Sequence, residues 1–158
     1  MQRNPITPEG YEVLVADLKN HKSVLRPQNV RDIEEARAHG DISENAEFEA
    51  AKERQSMLEA RISHLEMLAA AAEIIDVARL PRNGRVVFGT TVVLESPESG
   101  EEREYRIVGT TESDVKAGKI SYTSPLAQAL IGHSEGEEVT VVTPGGRQVW
   151  EIIEVKYI

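Results

Sequence analysis

The sequence predicts an α+β protein: an antiparallel two-helix coiled-coil hairpin, followed by an antiparallel β domain carrying one short helix. Three observations predict it. Apolar residues recur at helical spacing through the first half. A glycine, Gly40, interrupts that pattern near its middle. After a turn-rich stretch at residues 79–84, short β-branched runs replace the helical repeat. The division falls at 1–78 for the coiled-coil hairpin, with an acidic tip near 39–49, and at 79–158 for the β domain.

Taken in order, the helical pattern covers residues from about 9 to 76. Thr7 is a suitable N-cap and Pro8 suits a first turn. Tyr11, Leu14, Val15, Leu18, Leu25, Ile33 and Ala36 form the first apolar stripe. Pro27 predicts a kink or brief break, with helix resuming at Gln28, because proline loses a hydrogen bond and clashes one turn back. Beyond Gly40, Ala51, Leu58, Leu65 and Ala72 lie seven residues apart, with Ile62 and Ala69 beside them. Such a seam suits a single partner helix. Two arms of about 30 residues make a rod of about 45 Å at 1.5 Å per residue.

In the second half, strands are expected at residues 86–88, 90–94, 104–108, 138–142 and 149–155, with turns at 96–100 and 143–147. One helix fits residues 125–131, with Ser124 as N-cap, Pro125 in the first helical position and Gly132 as the stop.

Composition narrows the function. The net charge is -9 over 158 residues, which argues against wrapping duplex DNA by charge. The absence of cysteine removes disulfides, thiolate metal sites and cysteine nucleophiles. The opening residues are not followed by an apolar core of the signal-peptide kind, and no apolar run approaches membrane-spanning length. A cytoplasmic protein is the expectation. His21, His39, His64 and His133 lack zinc-site spacing, and Gly145-Gly146 lacks the lysine of a phosphate loop.

The stretch from His39 to Glu49 holds Asp41, Glu44, Glu47 and Glu49 and no lysine or arginine. Two readings are open. Asp41 and Glu44 have capping-box spacing, Ser43 is a second candidate N-cap, and acids in a first helical turn are favoured by the helix dipole. Alternatively, Asp41 and Glu44 supply oxygen ligands for Mg²⁺. Two exposed carboxylates hold such an ion weakly, so the tip would complete a metal site in another molecule.

Several stretches carry a resemblance: EEARAHGDISENAEFEAAKERQ over 34–55, ISYTSPLAQALIG over 120–132, TPGG over 143–146 and IEVKYI over 153–158. In these the chain resembles the GreA/GreB family of bacterial transcript cleavage factors, over nearly its whole length. The resemblance implies an FKBP-like C-terminal domain and insertion of the hairpin through the secondary channel of bacterial RNA polymerase. It implies that Asp41 and Glu44 stabilise a Mg²⁺ ion shared with the polymerase active site. The polymerase, not this chain, then hydrolyses the backtracked RNA 3′ end, releasing a short fragment so that elongation resumes. Two-metal chemistry accounts for the need for carboxylates. Asn45, Glu47 and Phe48 would support the tip. Lys52 and Arg54, with Arg61 nearby, would contact RNA, although Glu53 and Glu59 interleave with them. Ser121, Tyr122, Ser124, Pro125 and Gln128 would dock on the polymerase, and the factor would act as a monomer with no catalytic residue of its own.

Three departures stand out. Ile42-Ser43 occupies the place of a common Leu-Lys pair, Phe48 replaces a tyrosine, and Gln128 replaces a basic residue. Competing readings are a channel-binding polymerase inhibitor, a coiled-coil adaptor whose tip acids only cap a helix, and a prolyl isomerase using Phe88, Tyr105, Tyr122, Trp150 and Tyr157.

Overall fold

The computed structural model describes residues 3–39 and 45–158. The chain forms two compact units and crosses between them twice: Tyr11–Ala72 builds the first, while Arg3–Gly10 and Glu73–Ile158 build the second.

The first unit is a pair of helical arms. One arm comprises α1 (Pro8–Asn20), a π-helical turn (His21–Leu25) and α2 (Arg26–Ala38); the other is α3 (Ala46–Ala71). The seam contains Leu14, Ala36, Ala51, Ile62 and Leu65, all buried. The expected break at Pro27 is displaced and changed in kind. Pro27 sits in the first turn of α2, and the preceding turn widens so that the Arg26 N–H bonds to the His21 carbonyl five residues back. A widened turn relieves the clash that the proline ring would make with the carbonyl of Ser23. It also absorbs one extra residue. Leu25, expected in the apolar stripe, is therefore turned outward and 40% exposed, and Asn29 enters the seam. Asn29 is satisfied there, donating from Nδ2 to the Ala51 carbonyl at 3.1 Å. A buried asparagine at a seam position fixes register.

Polar contacts between the arms reinforce that register. The Arg26 guanidinium forks onto Glu59 at 2.9 and 2.8 Å, and Arg61 reaches Asp17 at 3.2 Å. The hydrogen bonds from Arg26 hold the Glu59 carboxyl below its ordinary value. This pair's contribution is therefore present above the unfolded carboxylate pKa and fades as pH falls through the lower folded one.

The second unit contains a five-stranded sheet in the order β5-β4-β3-β7-β6, built from β3 (Thr91–Glu95), β4 (Glu102–Val108), β5 (Lys119–Ser121), β6 (Glu138–Thr143) and β7 (Gly146–Lys156). Helix α4 (Pro125–Leu130) adds Ala127 and Leu130 to a core of Val92, Leu94, Ile107, Val141, Ile152 and neighbours. Two strand expectations are corrected. Residues 86–88 form no ladder: Val86 bonds to the loop after α4, receiving the Gly132 N–H and donating to the His133 carbonyl, and a turn at Gly89 follows. Gly89 has φ +89, and a Cβ there would lie 3.0 Å from Val77 Cβ. The fifth strand is instead β5, which pairs parallel to β4 and makes the sheet mixed. A bulge opposite Val93/Leu94 leaves Ile153 unpaired and 41% exposed.

The helical pattern ends before residue 76. Ala72–Ile74 is a short strand, β2, paired with β1 (Asn4–Ile6). At the other end of the unit, Tyr157 is buried. Its hydroxyl donates to the Arg85 carbonyl at 2.6 Å and also reaches Asn83 Oδ1 at 3.2 Å. Tyr157→Phe should lower the stability of this unit by about 1 kcal/mol in denaturant titration, the usual net value of such a bond. An unchanged midpoint would mean that the clasp contributes nothing.

Candidate functional site

The residues on either side of the tip are held by a compact set of contacts. Asp41, Ser43 and Glu44 themselves lie outside the described residues. Helix α2 ends at Ala38, and the His39 N–H bonds back to the Ala36 carbonyl at 3.3 Å. Helix α3 begins at Ala46, and its N-cap is Asn45: Oδ1 accepts the N–H groups of Glu47 at 3.0 Å and Phe48 at 3.2 Å. Asn45 does a second thing with the other end of its amide. Nδ2 donates to the Ala36 carbonyl at the end of the opposite arm. One side chain thus caps α3 and ties it to the end of the other arm.

Phe48 is half-buried, and the Arg37 guanidinium lies over its ring at 5.9 Å. Glu47 faces His39 at 3.7 Å. These contacts link the end of the first arm to the first turn of α3. Arg37 was not singled out from sequence; the only signal for it was an arginine one turn before the glycine. Lys52 and Arg54 stand exposed on α3, in the turns that follow.

The segment from Ser121 to Gln128, in the second unit, is equally self-bonded. The Ser121 and Thr123 hydroxyls meet at 2.7 Å. The Ser124 hydroxyl caps α4 by accepting the Ala127 N–H at 3.3 Å, with Pro125 next. Gln128 Nε2 donates to the Tyr122 carbonyl at 2.7 Å, closing the loop on its own helix. Tyr122 packs edge-on against Phe88 with ring centroids 5.9 Å apart. The other three aromatics of this unit are engaged elsewhere: Trp150 is buried under Arg103, which lies 5.4 Å from its ring centroid, the Tyr105 hydroxyl accepts from Arg103 Nη1 at 3.3 Å, and Tyr157 forms the clasp.

Two family descriptions match consecutive parts of the chain: "Transcription elongation factor, N-terminal" over residues 4–74, and "Transcription elongation factor, GreA/GreB, C-term" over residues 81–157. The chain belongs to the GreA/GreB family. Its GreA relatives match over full length. It is 52% identical to transcription elongation factor GreA of Psychrobacter arcticus, over 99% of both chains. It is 54% identical to that of Anaeromyxobacter sp. strain K, over 100% of this chain and 95% of the relative. Among solved structures, GreA factor homolog 1 of Thermus thermophilus aligns at 30% identity over 98% of this chain and 99% of its own, with a TM-score of 0.43. As a GreA/GreB member the chain is a transcription elongation factor. Among the described residues, no helix is long and apolar enough to cross a membrane.

Proposed function

We propose that this factor inserts its helical hairpin through the secondary channel of bacterial RNA polymerase and stimulates the polymerase's own cleavage of backtracked RNA. The observation that carries the reading is the pairing of an acidic stretch with a self-sufficient base. Helix α3 takes its N-cap from Asn45, so capping that helix requires neither Asp41 nor Glu44. Four carboxylates without a lysine or arginine between His39 and Glu49 suit a hard, oxygen-seeking cation.

Asp41 and Glu44 would offer those oxygens to Mg²⁺ shared with the polymerase active site. Such an ion, when bound, activates water for attack on a phosphodiester. The chain's own described residues hold the ends of the arms on either side of the two acids: Asn45 joins the arms, and Arg37 lies over Phe48. The segment from Ser121 to Gln128 docks on the polymerase at the channel rim, presenting Tyr122, the Ser121 hydroxyl and the start of α4. Lys52 and Arg54 lie on the arm just beyond the tip and would face the extruded RNA 3′ end. The reactive centre belongs to the polymerase, and the factor acts as a cytoplasmic monomer.

The test is direct. Elongation complexes halted in a backtracked position, with RNA labelled at its 3′ end, should release short labelled fragments much faster when the factor is added. Release at the factor-free rate, with the factor shown to be bound, would refute the reading.

A further inference from the structure

The start of α1 contains an incomplete motif, and a residue far away in sequence completes it. Thr7 is the N-cap: its hydroxyl accepts the Gly10 N–H at 3.0 Å. In a capping box, the third helical residue is Glu or Gln and reaches back to the N–H of the cap. Here that residue is Gly10, which has no side chain. Glu112 does the work instead. Its Oε2 accepts the Thr7 N–H at 3.1 Å and the Gly109 N–H at 2.9 Å, and its Oε1 takes the Thr7 hydroxyl.

The glycines are what give Glu112 its space. A Cβ on Gly10 would lie 2.6 Å from Glu112 Cγ and closer still to its carboxyl carbon. A Cβ on Gly109 would lie 2.8 Å from the Pro5 carbonyl oxygen and 2.9 Å from Glu112 Oε2. Thr7 is 1% exposed, so its N–H has no recourse to water. Two further contacts hold the same segment: Arg106 pairs with Glu9 at 3.4 Å, and the Ile75 N–H bonds to the Ile6 carbonyl at 2.9 Å.

We propose that Glu112 is a positioning residue for cleavage stimulation: by completing the capping box of α1 from 105 residues away, it fixes, within the docking unit itself, the first turn of the helix that continues into the first arm. Helix α1 runs unbroken from Pro8 to Asn20, out of the completed box and into the first arm, so whatever fixes Thr7 fixes where that arm begins. Without Glu112, that first turn would be held by the Arg106–Glu9 pair and the Ile75–Ile6 hydrogen bond alone. The proposal rests on the cleavage-factor reading above.

Three variants of the full chain test it: Glu112→Ala, Glu112→Gln and Gly10→Ala. Ala at Gly10 is informative because it would ordinarily favour a helix, yet here it displaces Glu112. Hydrogen exchange at Thr7 and Gly109 should speed up by about 10-fold or more in Glu112→Ala and Gly10→Ala, as for a locally opened segment. Glu112→Gln, which keeps one carbonyl oxygen, should fall between them and wild type. In cleavage assays the factor concentration for half-maximal effect should stay the same. The maximal rate should fall on the order of 10-fold in the two severe variants, as for a misplaced reacting group, and partly recover in Glu112→Gln. Lost protection with an unchanged maximal rate would overturn the proposal, leaving the Glu112 contact purely structural. Unchanged protection in Glu112→Ala would overturn it as well. A loss of polymerase binding parallel to the loss of cleavage would also overturn it, by locating the effect in docking. Failure of the underlying reading is separately visible, because the wild-type factor would then stimulate nothing.

Discussion

Replacing Asp41 by Asn and Glu44 by Gln together should reduce cleavage of backtracked RNA to the factor-free rate while the hairpin stays folded and polymerase stays bound. Both substitutions preserve shape and hydrogen-bonding capacity and remove charge. Asn equals Asp as an N-cap and Gln is allowed in a capping box, so a capping role would survive the change. A hard cation, by contrast, needs anionic oxygen and would lose two such ligands. The structure strengthens the separation, since Asn45 already caps α3. Circular dichroism and competition binding against wild type supply the controls. Added Mg²⁺ should partly rescue each single variant, because a site missing one ligand binds its ion more weakly. Cleavage that persists in the double variant would eliminate the metal-completion mechanism.

Asn45→Ala should be nearly as damaging although it leaves every tip carboxylate in place. It removes the cap of α3, a loss of about 1 kcal/mol, together with the cross-arm bond to Ala36, worth roughly 0.5–1.5 kcal/mol. The larger effect is on placement. With the two arms no longer joined at Asn45, cleavage should fall on the order of 10–100-fold, the scale associated with small misplacements of reacting groups. Asn45→Asp separates the two jobs of the side chain. It keeps the capping oxygen and discards the donor to Ala36. If the tie between the arms matters most, the Asp variant should show near-normal helicity and impaired cleavage. Full cleavage in Asn45→Asp would assign Asn45 to capping alone.

What could be read from the sequence was what is encoded locally. The seam through Ala51, Ile62 and Leu65 follows from spacing, and the cap at Ser124 with Pro125 behind it follows from residue type. The hairpin of β6 and β7 closes at Thr143 and Gly146, where Pro and Gly announce a turn. Apart from the widened turn before Pro27, the misses depend on distant partners. The three residues Lys119–Ser121 carry too short a pattern to predict a parallel strand, and only β4 makes them one. Residues 86–88 look like a strand until the loop after α4 takes their hydrogen bonds. Pairing of β1 with β2 joins segments far apart in the chain. At the site, the acidic stretch was plain from composition. The double duty of Asn45 was not, because half of it concerns a carbonyl on the other arm. Glu112 gave no signal beyond the missing side chain at Gly10.

The π-helical turn at His21–Leu25 gives the first arm one residue of slack. Its seam positions run Leu14, Leu18 and His21 before the turn, then Asn29, Ile33 and Ala36 after it. That is one residue later than an uninterrupted helical repeat would place them. Deleting a residue within the turn would draw it into ordinary α-helix and leave the downstream seam in phase. The same deletion a turn or two further on would rotate everything beyond it by about 100°, carrying Ala36 and its tie to Asn45 off the facing arm. Length changes between related chains are therefore tolerable at this joint and disruptive elsewhere in the arm. The surplus residue also sets apart two stretches that can diverge independently: a proximal one whose register answers to Asp17 and Arg61, and a distal one whose register answers to Asn29 and the tip.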